Sequence, residues 1–373
     1  MQNLIGVINS IDSHTSKYET LTKNRPDYML PYGARYRIID FTLSNVSRYN
    51  LSNVILFGGR NIRSTLDHIG NGKSWELNRR TQGLTINPPS YDVGVGLISE
   101  IRSYYDSIEY FFNAKQEHIF LCDPMTIAKI DIQEAYENYL DNDYDIMLVY
   151  KNIDDRDLKY VNTKKLNLDG NRVKTIGENL GIDSNFNMFI SRAFIKKSVF
   201  IELVSKSIEL GNAGTLIDAI INNVDEYKIG AYETDTYVQV IRDANSYYEA
   251  NLSLLNPEVY EKMFYEGGMI LTKSKDEPST MYKNNAKVKN SLVANGCIIE
   301  GHVENSIIFR GVNIGKNAIV KNSLLIQQSK VGEDSVVINS ILDKYSIVDH
   351  SVSIIGASGN PYIVGKSERI REE

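Results

Sequence analysis

The chain has 373 residues, 42% hydrophobic and 24% charged, which suggests two or three domains with sizeable cores and excludes a disordered chain. Net charge is -6, so a nucleic-acid surface is not the default reading, although a local basic patch can still bind phosphate. Cys122 and Cys297 cannot build a disulfide framework. The start, Met1 to Ser10, lacks the basic and long apolar regions of a signal peptide, and no 18-residue apolar run offers a membrane span. These features lead us to expect a cytoplasmic chain. The five histidines lie too far apart for a local zinc motif.

Up to about residue 245 the pattern alternates strands and helices. Leu4–Ile8, Asn53–Phe57, His118–Cys122 and Asp145–Tyr150 are short apolar runs fit for buried strands. Ser103–Ala114 and Ile132–Leu140 are helical stretches between them. This order predicts an α/β domain with a mostly parallel sheet over 1–245. Ligands of such sheets bind at the carboxyl ends of strands, which places the turn after Val7-Ile8 and Asp123 near the expected pocket. A helix and linker over 246–283 follow, from Tyr247–Phe264 into the loop Lys273–Asn285.

The strongest signal is periodic. Asn-Ser-aliphatic occurs at Asn290-Ser291-Leu292, Asn305-Ser306-Ile307, Asn322-Ser323-Leu324 and Asn339-Ser340-Ile341, in steps of 15, 17 and 17 residues. Within them aliphatics recur every six residues, as in Ile308, Ile314, Val320 and Ile326. Six residues per short strand and three strands per coil predict a parallel β-helix of hexapeptide repeats over 284–365, with a coil near 18 residues. One aliphatic per hexad points inward, and coils above and below bury it. Gly296, Gly301, Gly311, Gly315 and Gly332 fit the corners, and the open end of the stack suits oligomer contacts.

Several motifs in order resemble the ADP-glucose pyrophosphorylase (glucose-1-phosphate adenylyltransferase) family. They are Arg35-Tyr36-Arg37-Ile38-Ile39-Asp40-Phe41 with Leu43-Ser44-Asn45, then Trp75, Pro88-Pro89, Tyr248-Glu249-Ala250-Asn251-Leu252, Asn295–Gly301 and Ile341-Leu342-Asp343-Lys344. The resemblance spans nearly the whole chain. It implies an N-terminal nucleotidyltransferase-like, Rossmann-like domain and a left-handed C-terminal β-helix. It also implies the family reaction, in which glucose 1-phosphate attacks the α-phosphorus of ATP to give ADP-glucose and diphosphate for glycogen synthesis. That chemistry needs a glycine-rich phosphate cradle, cations and Mg²⁺ held by carboxylates.

Against the family pattern the chain lacks most of these parts. The segment after the first strand, Asn9 to Lys17, has no glycine. Asp27 stands at the family's lysine position. Tyr104 and Tyr105 align with the small residues that admit the base, and Asn179 replaces the lysine of the sugar-phosphate motif. One metal aspartate is kept as Asp123, whereas Val240 holds the place of the other. Together these changes resemble the non-catalytic regulatory subunit that pairs with a catalytic homologue in a mixed tetramer. No productively bound cofactor is then expected here, with Mg²⁺ and ATP handled in the partner and Asp123 at most a residual metal ligand.

Arg35, Arg37, Arg60 and Arg63 are candidates for binding a phosphorylated effector. The plainer alternative pairs them with Asp40, Asp67 or another carboxylate. An active nucleotidyltransferase with a shifted metal site through Asp243 is the alternative function. A hexapeptide acyltransferase, with His302 or His350 as base, rests on fold alone.

Overall fold

The computed structural model describes residues 3–9, 15–59, 61–80, 82–89 and 99–372. The chain forms two compact units: residues 3–9 with Phe41–Val238, and residues 15–40 with 239–372. In chain order the strands before the repeats are β1 (Leu4–Asn9), β2 (Pro31–Tyr32), β3 (Tyr36–Arg37), β4 (Asn53–Phe57), β5 (Gly83–Asn87), β6 (His118–Cys122), β7 (Thr126–Ala128), β8 (Ile146–Asp154), β9 (Lys164–Asp169), β10 (Arg172–Glu178), β11 (Asn185–Lys196), β12 (Ile229–Glu233) and β13 (Val238–Val240). The helices are α1 (Ile38–Arg48), α2 (Arg63–Ile69), α3 (Glu100–Asp106), α4 (Ile108–Asn113), α5 (Ile132–Asp141), α6 (Lys197–Leu210), α7 (Leu216–Asn222), α8 (Ala244–Ser253) and α9 (Pro257–Phe264).

The first unit is built on a nine-stranded sheet ordered β5-β4-β1-β6-β11-β8-β12-β10-β9. The four apolar runs read from the sequence are β1, β4, β6 and β8. Strands β5, β4, β1 and β6 pair in parallel, as do β8 and β12. Strand β11 lies antiparallel between β6 and β8, and β10 is antiparallel to both its neighbours. The sheet is therefore mixed, parallel on the side that carries β1 and β6. Helix α5 shows the local logic: Asp131 caps it by accepting from Gln133 N and Glu134 N at 3.0 Å, and Ile132, Ala135, Tyr136 and Tyr139 form its buried stripe. The helix expected over Ser103–Ala114 is two, α3 and α4, broken at Ser107.

In the second unit the repeats form a parallel β-helix, with three stacks of strands each pairing in parallel from coil to coil. Its first coil is β14 (Met281–Tyr282), β15 (Lys287–Lys289) and β16 (Leu292–Val293). Strand pairing joins Met281 to Ile298, Ile298 to Asn313, Asn313 to Lys330 and Lys330 to Ile347, so these coils take 15 or 17 residues, not 18. The shortening comes from the corners. Asn290, Asn305, Asn322 and Asn339 all adopt positive φ, which asparagine tolerates, and turn the chain in one residue. Asn290 Nδ2 donates to Asn305 Oδ1 at 2.8 Å and Asn322 Nδ2 to Asn339 Oδ1 at 3.1 Å. The following serines form a second ladder, in which Ser306 N, Ser323 N and Ser340 N donate to the Oγ one coil earlier. The Asn-Ser repeat is thus a corner device, and Ile299, Ile314, Val331 and Val348 stack inside as one wall of the core.

Gly301 and Gly315 serve close approach. A Cβ on Gly301 would lie 2.4 Å from Ala318 O, and one on Gly315 would lie 2.7 Å from Glu333 N. Truncating a fully buried rung of this core, Ile314→Ala, is expected to cost about 2–5 kcal/mol, read as a lower urea midpoint with an unchanged slope.

Candidate functional site

In the first unit the parallel strands β1 and β6 end at Asn9 and Cys122, and Asp123 follows β6 directly. Asp123 Oδ1 accepts from Met125 N at 2.8 Å, closing a turn. Burial pushes its carboxyl above the usual range, while the Met125 N–H and then Arg192 pull it back. Arg192 is fully buried on β11, and it donates to the carbonyls of Asp123 and Thr126 at 2.6 Å and of Ser191 at 3.1 Å. This cation fixes the loop after β6 from behind and spends its donors on backbone oxygens. Cys122 is buried, and burial holds its thiol up at about 12, far from a reactive thiolate.

Helix α3 brings a second carboxyl to the same corner. Burial raises Glu100 to about 7, while Tyr104, the Leu216 backbone and the Asn9 side chain oppose the rise, and nearby Asp123 adds to it. Tyr104 is wholly buried, edge-on to Phe57 at 4.9 Å and to Phe200 at 5.1 Å. Tyr105 is 40% exposed. The expectation that both tyrosines fill the base space is corrected: successive helical residues point about 100° apart, so only Tyr104 enters the core.

Asn179 is buried and locks two loops. It donates Nδ2 to Tyr160 O at 3.0 Å, accepts at Oδ1 from Gly181 N at 3.0 Å, and its backbone N–H donates to Thr163 O at 2.8 Å. The glycine-free segment after β1 falls largely on residues 10–14, outside the described residues, as does Arg60. Among the described residues no three His, Cys, Asp or Glu side chains converge as metal ligands.

The second unit holds the other named positions. Asp27 is buried, and its Oδ1 accepts from Tyr28 N at 2.7 Å. Val240 closes the short strand β13, with Asp243 three residues on as the N-cap of α8. Asp243 Oδ1 accepts from Ser246 N at 2.7 Å within a capping box, so the carboxylate proposed for a shifted metal site already has a structural duty.

A cation cluster also assembles here, from distant parts of the chain. Arg37 donates to Met29 O at 2.6 Å, and burial with the neighbouring Arg25 pushes its guanidinium down to about 10. Arg25 is buried in an ion pair with Asp343. Arg310 lies 3.5 Å from Glu277 and donates to Arg35 O at 3.5 Å. Burial lowers Lys344, with Arg37, Lys366 and Arg25 adding to the shift. Burial also lowers Lys275, with Arg310 and Lys344 as its nearest cations. Of the arginines named from sequence, Arg37 belongs to this cluster and Arg35 offers it a carbonyl, its own side chain being exposed. Arg63 does not: it sits in the first unit, 93% exposed, 3.9 Å from Asp67 one turn along α2, so the plainer pairing is the one realised. Sequence reading missed Arg192, Glu100, Arg310 and the role of Lys344. The charge inside the apolar run of β11 was the one local hint for Arg192.

Comparison with known proteins fits this architecture. Residues 278–359 match the family described as GlmU-like, C-terminal hexapeptide. The chain is 30% identical to the glycogen biosynthesis protein GlgD of Bacillus subtilis (strain 168), over 85% of this chain and 82% of that protein. It is also 30% identical to GlgD of Geobacillus stearothermophilus, over 85% and 82%. It is 28% identical to the glucose-1-phosphate adenylyltransferase of Clostridium perfringens (strain 13 / Type A), over 82% and 79%. The chain belongs to the ADP-glucose pyrophosphorylase family, beside its GlgD members. Among the described residues no helix is long and apolar enough to cross a membrane.

The raised Glu100 carboxyl gives a pH test. It stays protonated in the folded state to about pH 7 but ionises near 4.5 when unfolded. Its contribution is therefore whole below pH 4.5 and is lost as pH climbs to about 7. Glu100→Gln should leave the melting temperature unchanged at pH 4.5 and raise it at pH 8, by up to about 2 kcal/mol of stability.

Proposed function

We propose that the chain is a regulatory, catalytically deficient subunit of glucose-1-phosphate adenylyltransferase in bacterial glycogen biosynthesis, working in the cytoplasm. It assembles with a catalytic homologous subunit in a mixed tetramer, where the partner handles ATP and Mg²⁺. One observation carries this reading. At the corner formed by β1, β6 and α3 the ionisable groups facing one another are the carboxyls of Glu100 and Asp123, and the cation beside them, Arg192, is bound to three carbonyls. A polyphosphate placed there meets negative charge where transition-state stabilisation needs positive charge. Asn179 and Asp243, which stand at or near positions that held a cation and a metal ligand in the family pattern, are occupied as a loop lock and a helix cap.

The second unit supports the regulatory half of the reading. Arg25, Arg37, Lys275, Arg310, Lys344 and Lys366 bring six cations together against Asp343 and Glu277. Such an excess suits a phosphorylated metabolite. Binding there would act on the partner through a coupling free energy across the subunit contact.

ADP-glucose formation decides the first half. The purified chain alone should turn over at less than about one-hundredth of the rate of a catalytic homologue, and should raise rate or effector response when co-purified with one. Turnover equal to that of the homologue would overturn the reading. For the second half, Lys344→Gln in the mixed enzyme should raise the half-maximal effector concentration about tenfold while leaving the effector-free rate unchanged.

A further inference from the structure

The two ends of the β-helix are finished differently. In the last coil Ile354 and Val364, at inward positions, are almost wholly buried, and Thr20 stands against Gly365. In the first coil the inward positions follow from register: Tyr282 pairs with Ile299, Val288 with Val303 and Val293 with Ile308, and all three partners are buried core. Yet Tyr282 is 54% exposed and Val288 36% exposed, and Met281 beside them is 58% exposed. The floor of the prism is an apolar triangle with no coil beneath it. The outer edges of β14, β15 and β16 also have no strand partner among the described residues. Open parallel edges over an exposed apolar floor are an association surface.

Charge around this floor says what fits it. The first coil, residues 281–293, carries Lys283, Lys287 and Lys289 and no acid. Beside it runs α9 with Glu258 and Glu261, and a cleft of about 580 Å³ is walled by Leu254, Tyr260, Glu261 and Tyr265 on one side and by Asn290 and Leu292 of the first coil on the other. A basic rim next to an acidic helix is self-complementary under a two-fold axis, since each copy presents to the other the sign it lacks. A second coil is also the one element whose three strand edges stand in the same triangle.

We infer that the open first coil, with the flanking cleft of α9, is a two-fold contact between two copies of this chain, floor against floor, with Lys287 of each copy facing Glu261 of the other. This pairing of like chains is separate from the question of turnover and from any contact with a catalytic homologue.

Sedimentation velocity of the purified full-length chain tests it. The chain should form dimers with a Kd of about 10 µM or tighter. Tyr282→Glu, which puts a charge on the floor, should weaken the dimer about a hundredfold. Lys287→Glu and Glu261→Lys should each weaken it about fivefold or more, and the two together should restore it to within about twofold of the parent. Both charged side chains are exposed, so these variants decide the matter if Tyr282→Glu does not fold. A chain that stays monomeric at about 100 µM overturns the inference, as does a dimer untouched by Tyr282→Glu or a double swap weaker than either single one. None of these failures bears on ADP-glucose formation.

Discussion

The buried ion pair of Arg25 with Asp343 ties residue 25 to a β-helix corner 318 positions later in the chain. It commits residues 15–40 to the C-terminal unit and thereby carries Arg35 and Arg37 away from the sheet that precedes them in sequence. A paired charge at this depth is not a large net source of stability, but an unpaired one would be costly, about 3–5 kcal/mol. The pair therefore acts as a registry device. It sets Arg37, Arg310 and Lys344 side by side, and it neutralises only one of the cations it gathers. The others crowd one another enough to depress Arg37, Lys275 and Lys344, so that a dianion entering among them would relieve a repulsion already present.

The first unit holds the opposite arrangement. Its corner at β1 and β6 has carboxyls where the second unit has cations, and its one deeply placed arginine faces backbone oxygens. The two units thus differ in the sign of the ligand they favour. A regulatory subunit requires such a division, because effector affinity and nucleotide affinity can then change independently, each in its own unit.

How much of this could be read from the sequence depends on how local each signal is. The β-helix was legible because its cause repeats: Asn322 and Asn339 take the same positive φ for the same corner, and Ile314 and Val331 fill the same wall. The coil length was not, since the one-residue asparagine turn shortens each coil below three full hexads. Strands β1, β4, β6 and β8 stood out as apolar runs, but the antiparallel insertion of β11 between β6 and β8 is a long-range pairing with no local mark. Tyr104 and Tyr105 look alike as letters, and only the helix phase separates the packed ring from the exposed one. The arginines show the same limit. Arg37 and Arg63 are equal candidates on composition, yet one is gathered with residues near 310 and 344 and the other pairs along its own helix.

The positions that depart from the family pattern have each acquired a structural task. Tyr104 is a full-sized piece of the core, and cutting it to a small residue would open a cavity worth about 3–5 kcal/mol before any base could use the space. Asn179 satisfies Tyr160 O and Gly181 N, and a lysine there would leave both unpaired while burying an ammonium. Asp243 is the cap of α8, and drawing it toward a metal would release Ser246 N and Ser246 Oγ. Restoring any one part of a nucleotide site therefore costs folding free energy and returns no activity until the others are restored as well. The same residues that remove the nucleotide chemistry hold the scaffold together, so the deficiency is built into the packing of the unit.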